Sequence, residues 1–393
     1  MTDIILKAKE EHRILGGHPW IFSNELSHVK GDPAPGDVVK VFASDGRPLG
    51  RGFFNPRSLI TVRLVPGCDS DEIGRDFLSH RILQSYELRK RLYPDLDAYR
   101  LVFGESDGLP GLVVDKYGDC LCVQCLCLGM DRLQPLIVKV LKDLFHPTAI
   151  VERNDSPLRT LEGLAQEKGI LDGELKGLTA IEEGGLKFQL DLIAGQKTGF
   201  FFDLRETRLA IRRYARGASV LDCFCNEGAL SIHCAAAGAS RVIGIDSSEE
   251  AILRAKRNAR ANGFKKLCEF VIDDGFKRLK RLSKLGEKFD LVILDPPSFT
   301  RSKKSVTDAK RGYRDINYRA FRLLGDGGIL VSSSCSHHIT EETFLSTIDA
   351  AACDAGVRWS ILERLYQAPD HPLLHAMPET RYLKTVIAAV RAE

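Results

Sequence analysis

Two hydrophobic periods divide the chain. Over the first 70 residues apolar positions alternate: 36–42 reads as a strand, Asp45-Gly46-Arg47 as a turn, and 49–54 and 59–65 as two more strands. Ahead of them His18-Pro19-Trp20-Ile21-Phe22 opens a short element with a large aromatic anchor. A small β-rich domain is therefore expected over 1–70. Residues 66–71 form a linker, and 73–93 a helix that Pro94 stops. Strands broken by Gly104, Gly108, Gly111 and Gly118 fill 101–128, a helix 131–145, and a short strand 149–153, before a more irregular 174–183. These predict a connecting α+β domain over 71–185. No constellation of chemical groups stands out in it.

From 186 the pattern changes. Residues 187–192 alternate as a strand, and Gly195-Gln196-Lys197-Thr198-Gly199-Phe200-Phe201-Phe202-Asp203 leads into a basic helix from Arg205. That loop lacks the spacing of a phosphate loop, so an ATPase is excluded. Its phenylalanines are expected to pack at the entry to the next domain. Strands and helices then alternate to the end, with strands expected at 220–222, 241–245, 270–272, 289–294, 329–333, 359–365 and 382–390, and helices such as 249–262 and 344–355. The fold class expected is α/β: a doubly wound, Rossmann-like sheet of seven strands over 186–393, its ligand crevice at the first strand–helix turn.

Apolar and charged content are those of a globular chain, and no apolar run is long enough to cross a membrane. Met1-Thr2-Asp3 lacks the apolar core of a secretory signal, so a cytoplasmic location is expected. The net charge is only +3, so a nucleic-acid partner must be held by a local patch. Eleven cysteines in such a chain are expected to be thiols. Cys120, Cys122, Cys125 and Cys127 lie in a period-two stretch that points them to opposite sides, so they read as small core residues.

Candidate chemistry sits at strand ends of the doubly wound half. In Leu221-Asp222-Cys223-Phe224-Cys225-Asn226-Glu227-Gly228, Asn226 and Gly228 make a tight turn where backbone can approach a ligand. Asp246 ends the second strand and is placed to accept from a ribose diol. The turn lacks the glycines of a pyrophosphate site, and Asp222 and Glu227 would repel phosphate. A cofactor with a ribose and a cationic centre fits better, and S-adenosylmethionine has both. Asp274, favoured over Asp273, is placed to accept from the adenine amino group, or to cap the helix after it. The fourth strand ends in Asp295-Pro296-Pro297-Ser298-Phe299, where two prolines stiffen the turn, Asp295 is a candidate contact for the cofactor as well as the base, and Phe299 can stack on a base. The fifth ends in Ser334-Cys335-Ser336-His337-His338. Cys335, beside two histidines and opposite Asp295, is a candidate nucleophile. Arg301, Lys303, Lys304, Arg311 and Arg314, with Tyr313 and Tyr318 interleaved, are candidate contacts for nucleic-acid phosphates.

The first domain resembles a PUA domain, a small RNA-binding β-barrel. The order Leu-Asp-Cys-Phe-Cys-Asn-Glu-Gly, Gly-Ile-Asp, Leu-Asp-Pro-Pro-Ser-Phe, Gly-Tyr-Arg-Asp-Ile-Asn and Ser-Cys-Ser resembles the RlmI-type family of bacterial methyltransferases. So do Gln196-Lys197-Thr198-Gly199-Phe200-Phe201, Asp370-His371-Pro372 and Tyr382-Leu383-Lys384. The resemblance implies S-adenosylmethionine-dependent methylation of carbon 5 of a cytosine in large-subunit (23S) ribosomal RNA. Cys335 would add to carbon 6, and Asp295 would hold the cytosine edge. Where many RNA cytosine-5 enzymes carry a second cysteine, this chain has Ser298, so one cysteine must suffice. Two alternatives remain: methylation of a guanine or adenine nitrogen, which needs no cysteine, and a non-catalytic RNA-binding factor. A homodimer is left open, since oligomeric state is not legible.

Overall fold

A computed structural model describes residues 2–70, 72–195, 198–300 and 305–392. The chain forms two compact units. The first comprises Met1–Ile181, Leu190–Phe202 and Pro369–Thr380; the second comprises Glu182–Gln189, Asp203–Ala368 and Arg381–Glu393.

The first unit begins with strands β1 (Asp3–Leu6), β2 (Trp20–Phe22), β3 (Leu26–Lys30), β4 (Val38–Phe42), β5 (Pro48–Phe54) and β6 (Ile60–Leu64), with helix α1 (Glu11–Leu15) after β1. They form one sheet, ordered β2-β6-β5-β4-β1-β3. Alternate residues, among them Ile4, Leu6, Val39, Val41 and Val62, fill its core. Helix α2 (Arg75–Leu92) leads to a second sheet: β7 (Ala98–Phe103), β8 (Leu112–Tyr117), β9 (Cys120–Cys125), β10 (Ala149–Asn154) and β11 (Glu167–Gly173). Helices α3 (Leu128–Arg132) and α4 (Gln134–Phe145) link β9 to β10. All four cysteines of the 120–127 stretch are buried. The two sheets of this unit are tied by buried polar groups. Glu162 accepts from Ser58 at 2.6 Å, Asn55 at 2.9 Å and Arg63 at 3.0 Å.

Buried charge also fixes the unit's later segments. Arg89, fully buried, makes a two-pronged bond to Asp107 at 2.7 Å and donates to the Asp370 carbonyl at 2.8 Å. Thr198 donates to Asp115, and the Phe200 amide donates to the Tyr117 hydroxyl at 3.1 Å. Phe202 packs on the Tyr117 ring, 5.1 Å between centroids. The phenylalanines expected at the entry to the next domain thus include two, Phe200 and Phe202, buried in the first unit. Gln196 and Lys197 lie outside the described residues.

A hairpin of β12 (Thr179–Glu183) and β13 (Leu186–Leu190) precedes the second unit's helix α5 (Arg205–Ala215). Then come β14 (Ser219–Cys223), α6 (Ala229–Ala236), β15 (Arg241–Asp246), α7 (Glu249–Ala261), β16 (Cys268–Ile272), α8 (Gly275–Leu285) and β17 (Phe289–Leu294). They are followed by α9 (Val306–Leu323), β18 (Leu324–Ser334), α10 (Glu341–Ala355), β19 (Val357–Tyr366) and β20 (Lys384–Ala392). The seven strands are ordered β16-β15-β14-β17-β18-β20-β19. Those from β16 to β18 run parallel, and β20 runs against both its neighbours. The order reverses between β14 and β17, which puts a crevice at the carboxyl ends of these two strands.

Helices α8, α9 and α10 bury Leu279, Leu282, Tyr313, Ile316, Phe344 and Ile348 in one core with strand residues Val292, Leu294 and Leu330. Burial of Ala309, Tyr313, Ile316 and Ala320 follows the helical period of α9. Tyr313, expected among the basic residues as part of a nucleic-acid surface, is a core residue for that reason. No helix among the described residues is long and apolar enough to cross a membrane.

Candidate active site

The first strand–helix turn is held in a conformation few residues adopt. Phe224 has φ +68° and Asn226 φ +48°, two of the four non-glycine residues with positive φ among the described residues. Gly228 follows at φ +76°, and a Cβ there would stand 2.8 Å from the Phe270 ring. Gly244, on β15, faces the same ring, with a Cβ position 2.5 Å from it. Two missing side chains let Phe270 seat under the turn. Strain of this kind persists where surrounding structure enforces it and is concentrated at ligand sites.

The turn and the second strand are joined through Asp246. Its carboxylate accepts from the Asn226 amide and the Ser248 amide, both at 2.9 Å. It is half-buried at the end of β15, with lone pairs left for a diol. Asp274 accepts from the Phe276 and Lys277 amides through one oxygen, at 2.9 and 3.0 Å, so it caps α8 while the second oxygen makes no hydrogen bond among the described residues. Asp273 is engaged by Arg281 at 2.9 Å and Arg278 at 3.5 Å.

Three buried acceptors in this turn have no hydrogen-bond partner among the described residues: Asp222 Oδ1, Asn226 Oδ1 and Glu227 Oε1. The other Asp222 oxygen accepts from Ser231 at 2.6 Å. Burial, with Asp295 and Asp246 nearby, pushes the Asp222 carboxyl up to about 7. Burial pushes Glu227 up to about 8, against the pull of Arg254 and Arg208. Orphaned acceptors inside a buried turn are costly unless a donor reaches them. An anion would meet three acceptors. A ligand carrying an ammonium and a sulfonium supplies donors and positive charge, so these residues fit S-adenosylmethionine. Such a ligand favours the ionised carboxyls, so its binding releases protons and strengthens as pH rises from 6 to 8. Calorimetry in buffers of different ionisation enthalpy is expected to show that release; pH-independent affinity would refute it.

An aromatic row runs from this turn toward the fourth strand. Phe224 meets Phe276 at 5.2 Å, Phe276 meets Phe299 at 5.6 Å, and Phe299 meets Tyr313 at 4.5 Å between centroids. Phe276 is 37% exposed and Ile272, in register with Asp246, 51%. These two apolar side chains offer a wall for a flat base beside Asp246 and Asp274. The sequence reading missed both. Their signal is an apolar residue on either side of an acidic strand end.

Asp295 follows β17 and Cys335 follows β18, and these strands are parallel neighbours paired through Leu294 and Ser332. Both groups lie within electrostatic reach of the buried Tyr313 phenol, which burial first, then Cys335 and Asp295, push up to about 12. Tyr313 and Ser298 each bond the Ser336 hydroxyl, at 3.1 and 3.0 Å. Cys335 is partly exposed, while the other cysteines of this half, apart from Cys353, are buried. The adjacent histidines are not its buried neighbours: His337 and His338 are exposed, and His337 packs on the Tyr382 ring at 5.7 Å. Lys384 fills that place, donating to the Ser336 and Ile339 carbonyls at 2.8 Å.

The structure therefore brings Asp222, Asn226, Gly228, Asp246 and Asp295 to one crevice, with Asp274 at its edge and Cys335 beside Asp295. Arg301, Lys303 and Lys304 lie outside the described residues. Arg311 is exposed and 3.3 Å from Asp308, whereas Arg314 is clamped two-pronged by Asp354 at 2.6 and 2.8 Å.

The sheet order and the cation-accepting turn define a class I methyltransferase, and the comparisons agree. Residues 165–384 match the family model described as S-adenosylmethionine-dependent methyltransferase, and residues 4–65 match a PUA-like domain. A ribosomal RNA large subunit methyltransferase I from Aeromonas salmonicida is 40% identical over 392 residues, covering 99% of each chain. Its namesake from Escherichia coli O139:H28 is 38% identical over 385 residues, covering 97% of each. This chain belongs to the ribosomal RNA large subunit methyltransferase I family, and S-adenosylmethionine is its cofactor. Two solved structures share the fold. A putative S-adenosylmethionine-dependent methyltransferase from Streptococcus mutans has a TM-score of 0.85 at 19% identity, covering 99% of this chain and 100% of that one. A putative methyltransferase complexed with SAH has a TM-score of 0.86 at 20% identity, with the same coverage.

Proposed function

We propose that the protein methylates carbon 5 of a cytosine in large-subunit (23S) ribosomal RNA through a covalent bond between Cys335 and carbon 6. The observation that carries this reading is the placement of a partly exposed thiol and a carboxylate, Cys335 and Asp295, at the ends of neighbouring strands beside the cofactor turn. The relatives are named as large-subunit ribosomal RNA methyltransferases, which supplies the RNA. Such a substrate also implies action in the cytoplasm, where ribosomes are.

Carbon 5 of cytosine is a weak nucleophile. The Cys335 thiolate adds to carbon 6, and the ring's electrons move to carbon 5. Asp295 holds the N3/N4 edge and favours the protonated ring. Bound S-adenosylmethionine supplies an electrophilic methyl group. Carbon 5 would take that methyl, the S–CH3 bonding pair staying on sulfur as S-adenosylhomocysteine; loss of the carbon 5 proton to solvent would then expel the thiolate and restore the ring. Asp222, Asn226, Gly228, Asp246 and Asp274 bind and orient the cofactor. The target base must be unpaired or flipped to reach Cys335.

RNA is held by charge and by stacking. To Phe299, Arg301, Lys303, Lys304, Arg311 and Arg314 we add Lys277, Lys280 and Lys284, which share one exposed stripe of α8 and have no ion pair among the described residues. Replacing these three with glutamine is expected to weaken RNA binding and to reduce the salt-dependence slope by about 2, at ~0.7 per single-strand phosphate contact. An unchanged slope in filter binding would remove them from the interface.

The reading is tested by incubating protein, tritiated S-adenosylmethionine and protein-free large-subunit RNA, then separating the digested nucleosides. Label is expected in 5-methylcytidine. Label in a guanosine or adenosine derivative would favour nitrogen methylation instead.

A further inference from the structure

Lys384 opens β20 and is 5% exposed. Its backbone pairs with Ser334, the residue before Cys335. An ammonium carries three donors. Two go to the Ser336 and Ile339 carbonyls, at 2.8 Å each, so the amine lies under the turn that presents the thiol. Three charged or titratable groups act on it: Cys335 and Glu341, which favour its charged form, and Arg381, which opposes it. Glu341 is occupied by Arg381 at 2.7 Å and Arg364 at 3.6 Å. Lys384 itself has no ion pair among the described residues. Burial, the largest influence, lowers its pKa to about 8, which leaves it mostly cationic at pH 7.

A buried cation without a carboxylate is costly and calls for a negative charge close by. We propose that Lys384 is a positioning residue for the nucleophile, its ammonium pinning the 335–339 turn and stabilising the Cys335 thiolate. The attraction between two charges is mutual, so a thiolate that favours the ammonium is favoured by it to the same extent. The purpose of this arrangement rests on the cytosine-5 reading, but its test does not.

The test uses full-length protein without RNA. Alkylation of Cys335 by iodoacetamide is followed across pH 6–10 by mass spectrometry of its peptide, in wild type, Lys384→Met and Lys384→Arg. Thermal unfolding and binding of S-adenosylhomocysteine are measured alongside. In the wild type the titration midpoint is expected below the ~8.5 of a free thiol. In Lys384→Met it rises by about one unit, and alkylation at pH 7 slows on the order of tenfold. Lys384→Arg restores most of the shift, because charge is kept. A wild-type midpoint at or above about 8.5 overturns the proposal even if the methionine variant fails to fold. So does an unchanged midpoint in a folded Lys384→Met. If alkylation shows the coupling but the nucleoside product is not 5-methylcytidine, the cytosine reading fails and the Lys384–Cys335 pair stands. If 5-methylcytidine forms without the coupling, this proposal alone fails.

Discussion

Cys335→Ser abolishes methyl transfer, lowering turnover at least about a thousandfold, or ~4 kcal/mol of barrier, while S-adenosylhomocysteine binds within about twofold of wild type. A hydroxyl at this position is not ionised near neutrality and cannot add to carbon 6 at a useful rate. The proposed cofactor residues lie at the ends of β14, β15 and β16, away from Cys335, so binding is expected to survive. Ser336 and Ser298 are already hydrogen-bonded to each other at 3.0 Å, and neither replaces the thiol. Single-turnover transfer and equilibrium binding, measured on one preparation, separate the two effects. Retained transfer would mean that carbon 5 is not the acceptor.

The second large effect is on stability. Glu183→Ala costs roughly 3–5 kcal/mol of folding free energy, because it strips a shared counter-charge from two buried guanidinium groups. Glu183 accepts from Arg205 Nε at 2.9 Å, from Arg208 Nη2 at 2.9 Å and from Arg208 Nε. His233 lies 3.8 Å away and is held neutral, its pKa lowered to about 3 by burial and then by Arg208. Burial opposes ionisation of Glu183, but Arg208 and Arg205 outweigh it and bring its pKa down to about 2. The carboxyl is depressed from its usual value of 4.5, so its contribution is complete above that pH and is lost as pH falls through about 2. Denaturant unfolding at pH 7 and pH 3 checks both parts. A loss at pH 7 below about 1 kcal/mol would show that the pair is dispensable.

The second unit was largely legible because its strands are apolar runs closed by acidic residues and its turn carries Asn226 and Gly228. Expected strands at 241–245 and 289–294 correspond to β15 and β17 within a residue. The misses have physical causes. Strand β11 is mostly exposed, so its sequence lacks an apolar alternation, and its ladder to β10 alone defines it. Arg205 and Arg208 read as a basic helix, yet they are buried, because their partner Glu183 lies on β12, outside the helix. Two histidines follow Cys335 in sequence, yet in the fold both are exposed. The buried cation comes from the far end of the chain, where antiparallel pairing of β20 with β18 delivers Lys384. Asp222, Asp246 and Asp295 each lie within a residue of a strand's carboxyl end, where one position in sequence fixes one position in the crevice.

The covalent adduct can be trapped. RNA containing 5-fluorocytidine has no proton to lose at carbon 5, so the thiolate cannot leave after methyl transfer. The expected result is a denaturant-stable protein–RNA complex that requires S-adenosylmethionine, with a digest that places the methylated, fluorinated nucleotide on Cys335. Turnover on ordinary RNA with no such complex, or an adduct mapped to another residue, would contradict it.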